Sequence, residues 1–313
     1  MRRLVASIVA LVLCGVLLPG CSLKRMAANG IANSLAEGGD VFSRDDDPEL
    51  IRDALPFGLK TMESLLEIVP EHRGLLLAAC QGYTQYAYAF VQLDADQIEP
   101  TNYDEASRLR DRALRLFVRA RDFGLRGLEI RHRGITQQLQ VRPDSAARLL
   151  RAKEVPLLYW TAAAWGSAIN VGKDRPELTA DIDAVKALIA RGLELDERYE
   201  NGAFHEAMIL LEALPPAMGG SPERARRHFQ RALELSGGVS PAPYITLAQN
   251  LSVQDQDRAE FRELLGRAIA VDPEKNLRNR LATLLLQRKA RALLAREDDL
   301  FIEPDTTAVE EPR

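Results

Sequence analysis

Four histidines are the residues of this chain best suited to acid–base or metal chemistry, and their positions support neither. They are scattered, with no cysteine or carboxylate at ligand spacing, at His72, His132, His205 and His228. The pair His205-Glu206 is not followed by a second histidine, so the zincin pattern is absent, as are Gly-x-Gly-x-x-Gly and phosphate-binding loops. The sequence therefore predicts a non-enzymatic protein with no metal and no cofactor.

Aromatic side chains point instead to ligand binding, because two helical segments collect them. Tyr159 and Trp160 lie beside a run of alanines, and Tyr83 and Tyr86 begin a second stripe at helical spacing. Such side chains suit a cavity wall, since each is apolar with one polar group. The alternative interpretation is ordinary core packing. We take Trp160, Tyr159, Tyr83 and Tyr86 as the candidate cavity residues.

The two tryptophans cannot share one narrow face of their helix. Trp160 and Trp165 are five positions apart, which separates them by about 140° at ~100° per residue. Trp160 shares its face with Ala164, and the neighbouring alanines leave space there. We therefore predict that Trp160 lines the cavity and that Trp165 packs in the core.

An arginine-rich helix is the candidate docking surface. Between Asp104 and Arg133 there are nine arginines against five acids, and Arg108, Arg112, Arg115 and Arg119 share one helical face. This face could dock an acidic partner surface, an anionic ligand or lipid headgroups. The alternative is a solvated face without a partner.

The N-terminus has the features of a bacterial lipoprotein signal peptide. A charged Met1-Arg2-Arg3 precedes an apolar run from Leu4 to Leu18, which is short for a membrane span, and Leu18-Pro19-Gly20-Cys21 resembles a lipobox. We expect Cys21 to be the lipidated mature N-terminus, anchored on the periplasmic side of a bacterial membrane. Ser22 favours the outer membrane. The alternatives are an ordinary signal peptide or an uncleaved anchor.

Cysteine usage and charge narrow the function further. Once Cys14 leaves with the signal peptide and Cys21 carries lipid, Cys80 has no disulfide partner and is expected to be a buried thiol. The net charge of −4 becomes −6 without Arg2 and Arg3. A mildly acidic, exported chain argues against a nucleic-acid partner.

One helix has the pattern of a tetratricopeptide (TPR) repeat. Ser221 and Pro222 can start it, and Ala225, Phe229 and Ala232 then share one face, where small residues admit a neighbouring helix. Helix ends resembling its Ala-Leu-Glu-Leu also begin at 65, 192 and 268. The last three, at 192, 232 and 268, are 40 and 36 residues apart, close to the TPR period of ~34.

These patterns, with strand signals nearly absent, predict an all-α fold. We expect a TPR-like solenoid of helical hairpins with irregular repeats, capped by a C-terminal helix over 276–295. The chain then divides into four parts: a signal peptide (1–20), a lipid-anchored tether (21–47), a TPR-like helical domain (48–302) and a disordered tail (303–313).

Several segments, in this order and spacing, resemble the TatT family, the T component of tetratricopeptide-associated TRAP transporters. They include Ala54-Leu-Pro-Phe57, Gly82-Tyr-Thr-Gln-Tyr86, Ala120-Arg-Asp-Phe-Gly-Leu-Arg-Gly-Leu128, Leu158-Tyr-Trp160 and Gly219-Gly-Ser-Pro222. The resemblance implies a periplasmic lipoprotein of cryptic TPR-like pairs, a homotrimer, that associates with the substrate-binding protein of a TRAP importer. It also implies a pore-like cavity beside the partner's ligand, a small organic acid or a hydrophobic molecule.

Two classes of function therefore remain open. The first is a transport accessory that binds a solute-binding protein and passes ligand through an aromatic-lined cavity. The second is a generic TPR scaffold for envelope assembly, with a filled core and no ligand.

Overall fold

The structure, a computed structural model, describes residues 20–38 and 40–302. These residues form helices joined by turns and short links, with no strand among them, so the predicted all-α fold is confirmed. Residues 1–19 of the predicted signal peptide and the predicted disordered tail (303–313) lie outside the described residues. Nowhere between residues 20 and 302, the undescribed residue 39 aside, is a helix both long and apolar enough to cross a bilayer.

The α-helices vary from one turn to more than seven. In chain order they are α1 (Gly20–Glu37), α2 (Asp40–Ser43), α3 (Pro48–Ile68), α4 (Arg73–Ala87), α5 (Leu93–Ile98), α6 (Tyr103–Glu129), α7 (Ile135–Val141), α8 (Pro143–Ala147), α9 (Val155–Val171), α10 (Pro176–Thr179), α11 (Ile182–Leu195), α12 (Ala203–Glu212), α13 (Pro222–Ser236), α14 (Ala242–Leu247), α15 (Arg258–Ile269), α16 (Arg280–Ala295) and α17 (Glu297–Leu300). Two π-helical segments, Tyr88–Gln92 and Ala248–Ser252, continue α4 and α14.

Local capping explains why the long helices start where they do. The carboxylate of Asp47 accepts hydrogen bonds from the first backbone N–H groups of α3, Asn102 does the same for α6, and the Ser221 hydroxyl does so for α13. These side chains satisfy N–H groups that have no partner inside a helix. Helix α13 then ends at Gly237, whose φ of +61° is a conformation that glycine adopts without strain.

Three buried apolar clusters follow one another along the chain. The first lies mainly between α1, α3, α4 and α6, the second between α6, α7, α8, α9 and α11, and the third between α12, α13, α14, α15 and α16. Helix α16 contributes residues to both the first and the third cluster. Its Leu281 and Leu285 pack in the first cluster, and its Ala290 packs in the third.

The helices consequently close into a ring. Contacts run from α3 through α4, α6, α9, α11, α12, α14 and α15 to α16, and α16 contacts α2 and α3. Two ion pairs reinforce this closure: Arg288 lies 2.6 Å from Glu49, and Arg280 lies 3.1 Å from Asp46. A helix predicted to cap the open end of a solenoid thus joins its two ends, because it carries apolar residues on two sides: Leu281 and Ala290 lie about 180° apart around the helix.

The N-terminal part of the predicted tether is helical and packs on the body. Helix α1 buries Ala28 and Ala32 in the first cluster, mainly against α4. The side chain of Asn33 hydrogen-bonds to His72, with 2.9 Å between Oδ1 and Nε2. The backbone of Cys21 lies in the first turn of α1, and its side chain is outside the described residues.

Candidate functional site

The interior of the ring contains an isolated carboxylate, that of Glu206 on α12. Burial raises the pKa of Glu206 to about 7, and the nearby positive charge of Lys289 acts in the opposite direction. The side chain nevertheless keeps part of its surface accessible, and among the described residues its carboxyl has no hydrogen-bond or ion-pair partner. We interpret a carboxyl that is enclosed by protein and keeps some accessible surface as one that faces an internal space. We call this space the lumen.

An aromatic wall faces Glu206. The ring centroid of Tyr159 is 5.2 Å from that of Trp160 and 5.3 Å from those of Tyr199 and Phe204. We call these four side chains the lumen aromatic cluster. Burial raises the pKa of the Tyr159 hydroxyl, and the negative charge of Glu206 raises it further. Phe204 is fully buried behind the other three, which each keep some accessible surface.

The two tryptophans of α9 lie in different surroundings. Trp165 is 1% exposed, packs in the second cluster, and has the guanidinium of Arg121 5.6 Å from its ring centroid. Trp160 is partly accessible and lies against Tyr159. The angular separation of five helical positions therefore corresponds to two distinct environments.

A positive charge also lies near Glu206. The ammonium of Lys289, on α16, donates a hydrogen bond to the Tyr88 hydroxyl at 3.2 Å and lies 5.5 Å from the centre of that ring. Tyr88 begins a π-helical segment, a local widening that changes the direction of side chains and is frequent at functional sites. Burial raises the pKa of Asp96 nearby, and Lys289 opposes that rise. The lumen thus combines an aromatic wall with an ammonium group and a carboxyl.

The other two predicted cavity residues, Tyr83 and Tyr86, lie in a separate cluster. Tyr83 stacks on Phe123 at 5.8 Å, and Tyr86 packs on Phe90 at 5.8 Å. Each of these four rings has a guanidinium over it within 6 Å, and we call the group the arginine-capped cluster; the arginines are Arg52, Arg112, Arg119 and Arg126. Among the described residues, no ring contact links this cluster to Tyr159.

The predicted arginine patch is exposed on α6, and three of its four members have partners. Arg108 pairs with Glu105, and Arg119 lies 3.3 Å from Glu63. Arg112 donates to the Tyr86 hydroxyl at 3.2 Å. Arg115 has no ion pair within residues 20–38 and 40–302. The charge that is free to meet another molecule is therefore concentrated at Arg112 and Arg115.

The fold also joins histidines that are distant in sequence. The Nδ1 atoms of His205 and His228 are 2.8 Å apart, and His205 Nε2 lies 3.1 Å from Glu197. Burial lowers the pKa of both histidines, and Arg231 holds the pKa of Glu197 well below its usual range. In the part of the chain that the structure describes, no group of three histidine, cysteine or carboxylate side chains could hold a metal. The His205–His228 pair is a hydrogen-bonded contact between α12 and α13.

Two surface depressions lie apart from the lumen aromatic cluster. One, of about 250 Å³, lies between Tyr244 and Arg267, and the other, of about 210 Å³, lies between Phe229 and Glu260. None of the predicted cavity residues lines either depression. The thiol of Cys80, predicted to be buried, is buried, and burial raises its pKa to about 12.

Sequence reasoning missed Glu206 and Lys289. Glu206 lies inside a largely apolar helix, Ala203–Glu212, whose other carboxylate is its last residue, and a charge in the interior of such a run is a signal that could have identified Glu206. Lys289 gives no such signal, since it is one of several basic residues on α16. The proximity of Lys289 to Tyr88 and Glu206 arises only in the folded ring.

Comparison with known proteins shows the family to which this chain belongs. Residues 44–301 match the family described as TAtT, TRAP transporter T-component. The chain therefore belongs to that family, whose members are components of a transport system. An uncharacterized protein of Treponema pallidum (strain Nichols) is 29% identical over 303 residues, covering 91% of this chain and 94% of that protein.

Proposed function

We propose that this protein is a non-enzymatic accessory lipoprotein of a TRAP-type importer on the periplasmic side of a bacterial membrane. It binds the importer's periplasmic substrate-binding protein and passes a small organic-acid or hydrophobic ligand through the lumen. Family membership supports the transport role. The observation that carries the ligand role is the set of groups around Glu206, whose carboxyl interacts electrostatically both with Tyr159 of the lumen aromatic cluster and with the ammonium of Lys289.

The chemistry of the lumen suits a ligand with an apolar body and a carboxylate. Tyr159 and Trp160 offer apolar faces with one polar group each, and Lys289 offers a charge-assisted donor. The partner contact is assigned to Arg112 and Arg115, where exposed positive charge would steer an acidic surface. By resemblance to the family, the assembly is a homotrimer attached through lipid on Cys21, without nucleic acid.

The ligand role is tested with a fluorescent fatty acid as the probe. Trp160→Ala should weaken its binding by roughly tenfold, which corresponds to about 1.4 kcal/mol, and should leave the melting temperature nearly unchanged. Phe57→Ala is the matched control, because Phe57 is 82% exposed on the outside of the ring. Lys289→Met should weaken binding of the fatty acid but not binding of an uncharged ester of that fatty acid. Equal binding by all variants would sink the ligand role.

The partner contact is tested by binding to the TRAP substrate-binding protein encoded by the same organism. Arg112→Glu with Arg115→Glu should slow association and reduce its dependence on salt. Arg148→Glu with Arg278→Glu is the control, since both residues are exposed and lie on other segments. If the two double variants behave alike, the docking assignment is wrong.

One observation favours the alternative, a scaffold for envelope assembly without a ligand. Tyr83 and Tyr86, two of the four predicted cavity residues, are buried under arginines rather than facing a cavity. If the probe binds no variant and no wild type, while light scattering shows a stable oligomer or a bound partner, the scaffold function stands instead. Mass spectrometry of the N-terminal peptide tests the lipid on Cys21 independently.

A further inference from the structure

Helix α1 carries apolar side chains over a broad side that points away from the protein, with Leu23 lying between Met26 and Ile31, which are about 140° apart around the helix. Leu23, Met26 and Ile31 are 67%, 66% and 54% exposed. On the opposite side of the helix, Ala28 and Ala32 are buried against the body. An amphipathic helix of a soluble protein normally turns its larger apolar residues inward. Here Leu23, Met26 and Ile31 are outside, while Ala28, Ala32 and the partly buried Leu35 near the end of the helix pack inward.

The contacts of α1 fix this orientation. The Asn33 side chain is hydrogen-bonded to His72 at the start of α4, and a Cβ atom added at Gly74 would lie 3.3 Å from the Cβ of Ala36. The alanine face therefore fits closely onto α4, and a rotation that turned Leu23 inward would replace small side chains with a large one. The exposed face is a property of the folded protein.

The charges of α1 select the kind of surface that can cover this face. Lys24 and Arg25 are exposed in its first two turns, and no acidic residue occurs between Gly20 and Ala36. An apolar face flanked by basic residues is typical of helices that lie in the boundary between lipid headgroups and acyl chains. Basic residues near such a surface are attracted by anionic lipid.

The sequence before α1 places a membrane beside it. The apolar run from Leu4 to Leu18 ends five residues before Leu23. If Cys21 is lipidated, the acyl chains enter the bilayer two residues before Leu23, and if the run is retained, it enters the bilayer itself. Within the described range, α1 is not apolar enough to span a bilayer. A helix in this position lies on the membrane.

We propose that the face of α1 formed by Leu23, Met26 and Ile31 lies in the headgroup region of an anionic bilayer and holds the ring in one orientation to the membrane. The inference rests on the membrane attachment in the proposed function. It replaces a flexible tether with a second, rigid point of contact. Lys24 and Arg25 make this contact dependent on anionic lipid.

The test uses the environment-sensitive fluorophore NBD on single introduced cysteines of the membrane-purified protein. Met26→Cys and Ile31→Cys report the apolar face, and Asn29→Cys, also exposed, reports the polar flank. The chain without an introduced cysteine measures background labelling, which Cys80 should not contribute because it is buried. Each protein is reconstituted into phosphatidylcholine vesicles with or without phosphatidylglycerol.

We expect the fluorescence emission of NBD at residues 26 and 31 to lie at shorter wavelengths than that of NBD at residue 29. Iodide should quench NBD at residues 26 and 31 at least roughly threefold less than NBD at residue 29. Spin-labelled lipid should quench it. This protection should increase with phosphatidylglycerol, and Lys24→Gln with Arg25→Gln should remove the increase. Introducing Met26→Glu should restore iodide access to a label at residue 31.

Three outcomes would overturn the inference. Equal iodide access at residues 26 and 29 in protein that sediments with vesicles would refute the contact and leave the attachment intact. Protein that does not sediment would refute both. Protection from iodide without quenching by spin-labelled lipid would assign the face to a second copy of the chain.

Discussion

The two aromatic clusters are made of similar residues and lie in different surroundings. The arginine-capped cluster places a guanidinium 5.3 to 5.8 Å from the centre of each of its four rings. The lumen aromatic cluster has no such cover among the described residues and faces the enclosed carboxyl of Glu206. The difference shows that aromatic spacing alone does not define a cavity wall. Aromatic rings can form a cavity wall only where the neighbouring helix places no side chain over them.

The position of the covering residues explains the difference. Arg112 and Arg119 lie on α6, directly across from the α4 residues Tyr86 and Tyr83. Long arginine side chains fill the space above the rings with their apolar stems and reach solvent with their charged ends. The helix that packs on Tyr159 through Phe204, α12, places the carboxyl of Glu206 near the Tyr159 ring and no arginine over it.

The largest expected effect concerns Trp165, which serves as a core reference for both clusters. Trp165→Ala should lower the free energy of unfolding by about 3–5 kcal/mol, because the side chain is 1% exposed and its removal leaves a cavity. Urea denaturation measures this loss. Trp160→Ala should cost clearly less, since Trp160 is partly accessible. Equal losses would mean that the lumen aromatic cluster is ordinary core.

The next effect is the pH dependence that Glu206 contributes. Its pKa is raised to about 7 from 4.5, so the folded protein binds this proton more tightly than the unfolded chain does. The stability from that proton is fully present below about pH 4.5 and is lost as pH rises through about 7. By linkage the loss is on the order of 3 kcal/mol.

Glu206→Gln should remove this loss, so that the variant is more stable than the wild type at about pH 8 and equal to it at about pH 4.5. Urea denaturation at the two pH values checks it. Glu67→Gln, at an exposed position on α3, is the matched control and should follow the wild type. An unchanged pH profile in Glu206→Gln would show that the carboxyl is open to bulk solvent and that no enclosed lumen exists.

The smallest expected effect tests the covering arginines. Arg112→Ala removes a hydrogen bond to Tyr86 and the cation over its ring, which together should cost about 0.5–1 kcal/mol. Arg115→Ala is matched to it on the same helix face and should stay within roughly 0.5 kcal/mol of the wild type, because Arg115 covers no ring. If the two variants lose the same stability, the cover contributes nothing specific.

Local patterns predicted the helices well. The Ala-Leu-Glu-Leu-like ends beginning at 65, 192, 232 and 268 all fall at or within a few residues of the observed ends of α3, α11, α13 and α15. The start of α13 at Pro222, capped by Ser221, is also as the sequence indicated. These features depend on neighbouring residues, so a single sequence contains them.

The site could not be predicted in the same way, because it depends on distant parts of the chain. Lys289 and Tyr88 are hydrogen-bonded across 201 positions, and His205 meets His228 across 23. No periodic pattern relates such pairs. The outward face of α1 could not be predicted for another reason. The sequence shows which residues of the helix are apolar, but only the packing of Ala28 and Ala32 shows which side of the helix contacts the body.

The closure of the ring has a consequence for how the chain folds. Helix pairs such as α12 and α13 are neighbours in sequence and can form early, whereas Arg288 and Glu49 are 239 positions apart. Closing a loop of that length costs roughly 1.7 kcal/mol more chain entropy than closing one repeat-sized loop. We therefore expect the contacts between the two ends to form after those between neighbouring helices. During synthesis, α3 must wait for nearly the whole chain before α16 can cover it.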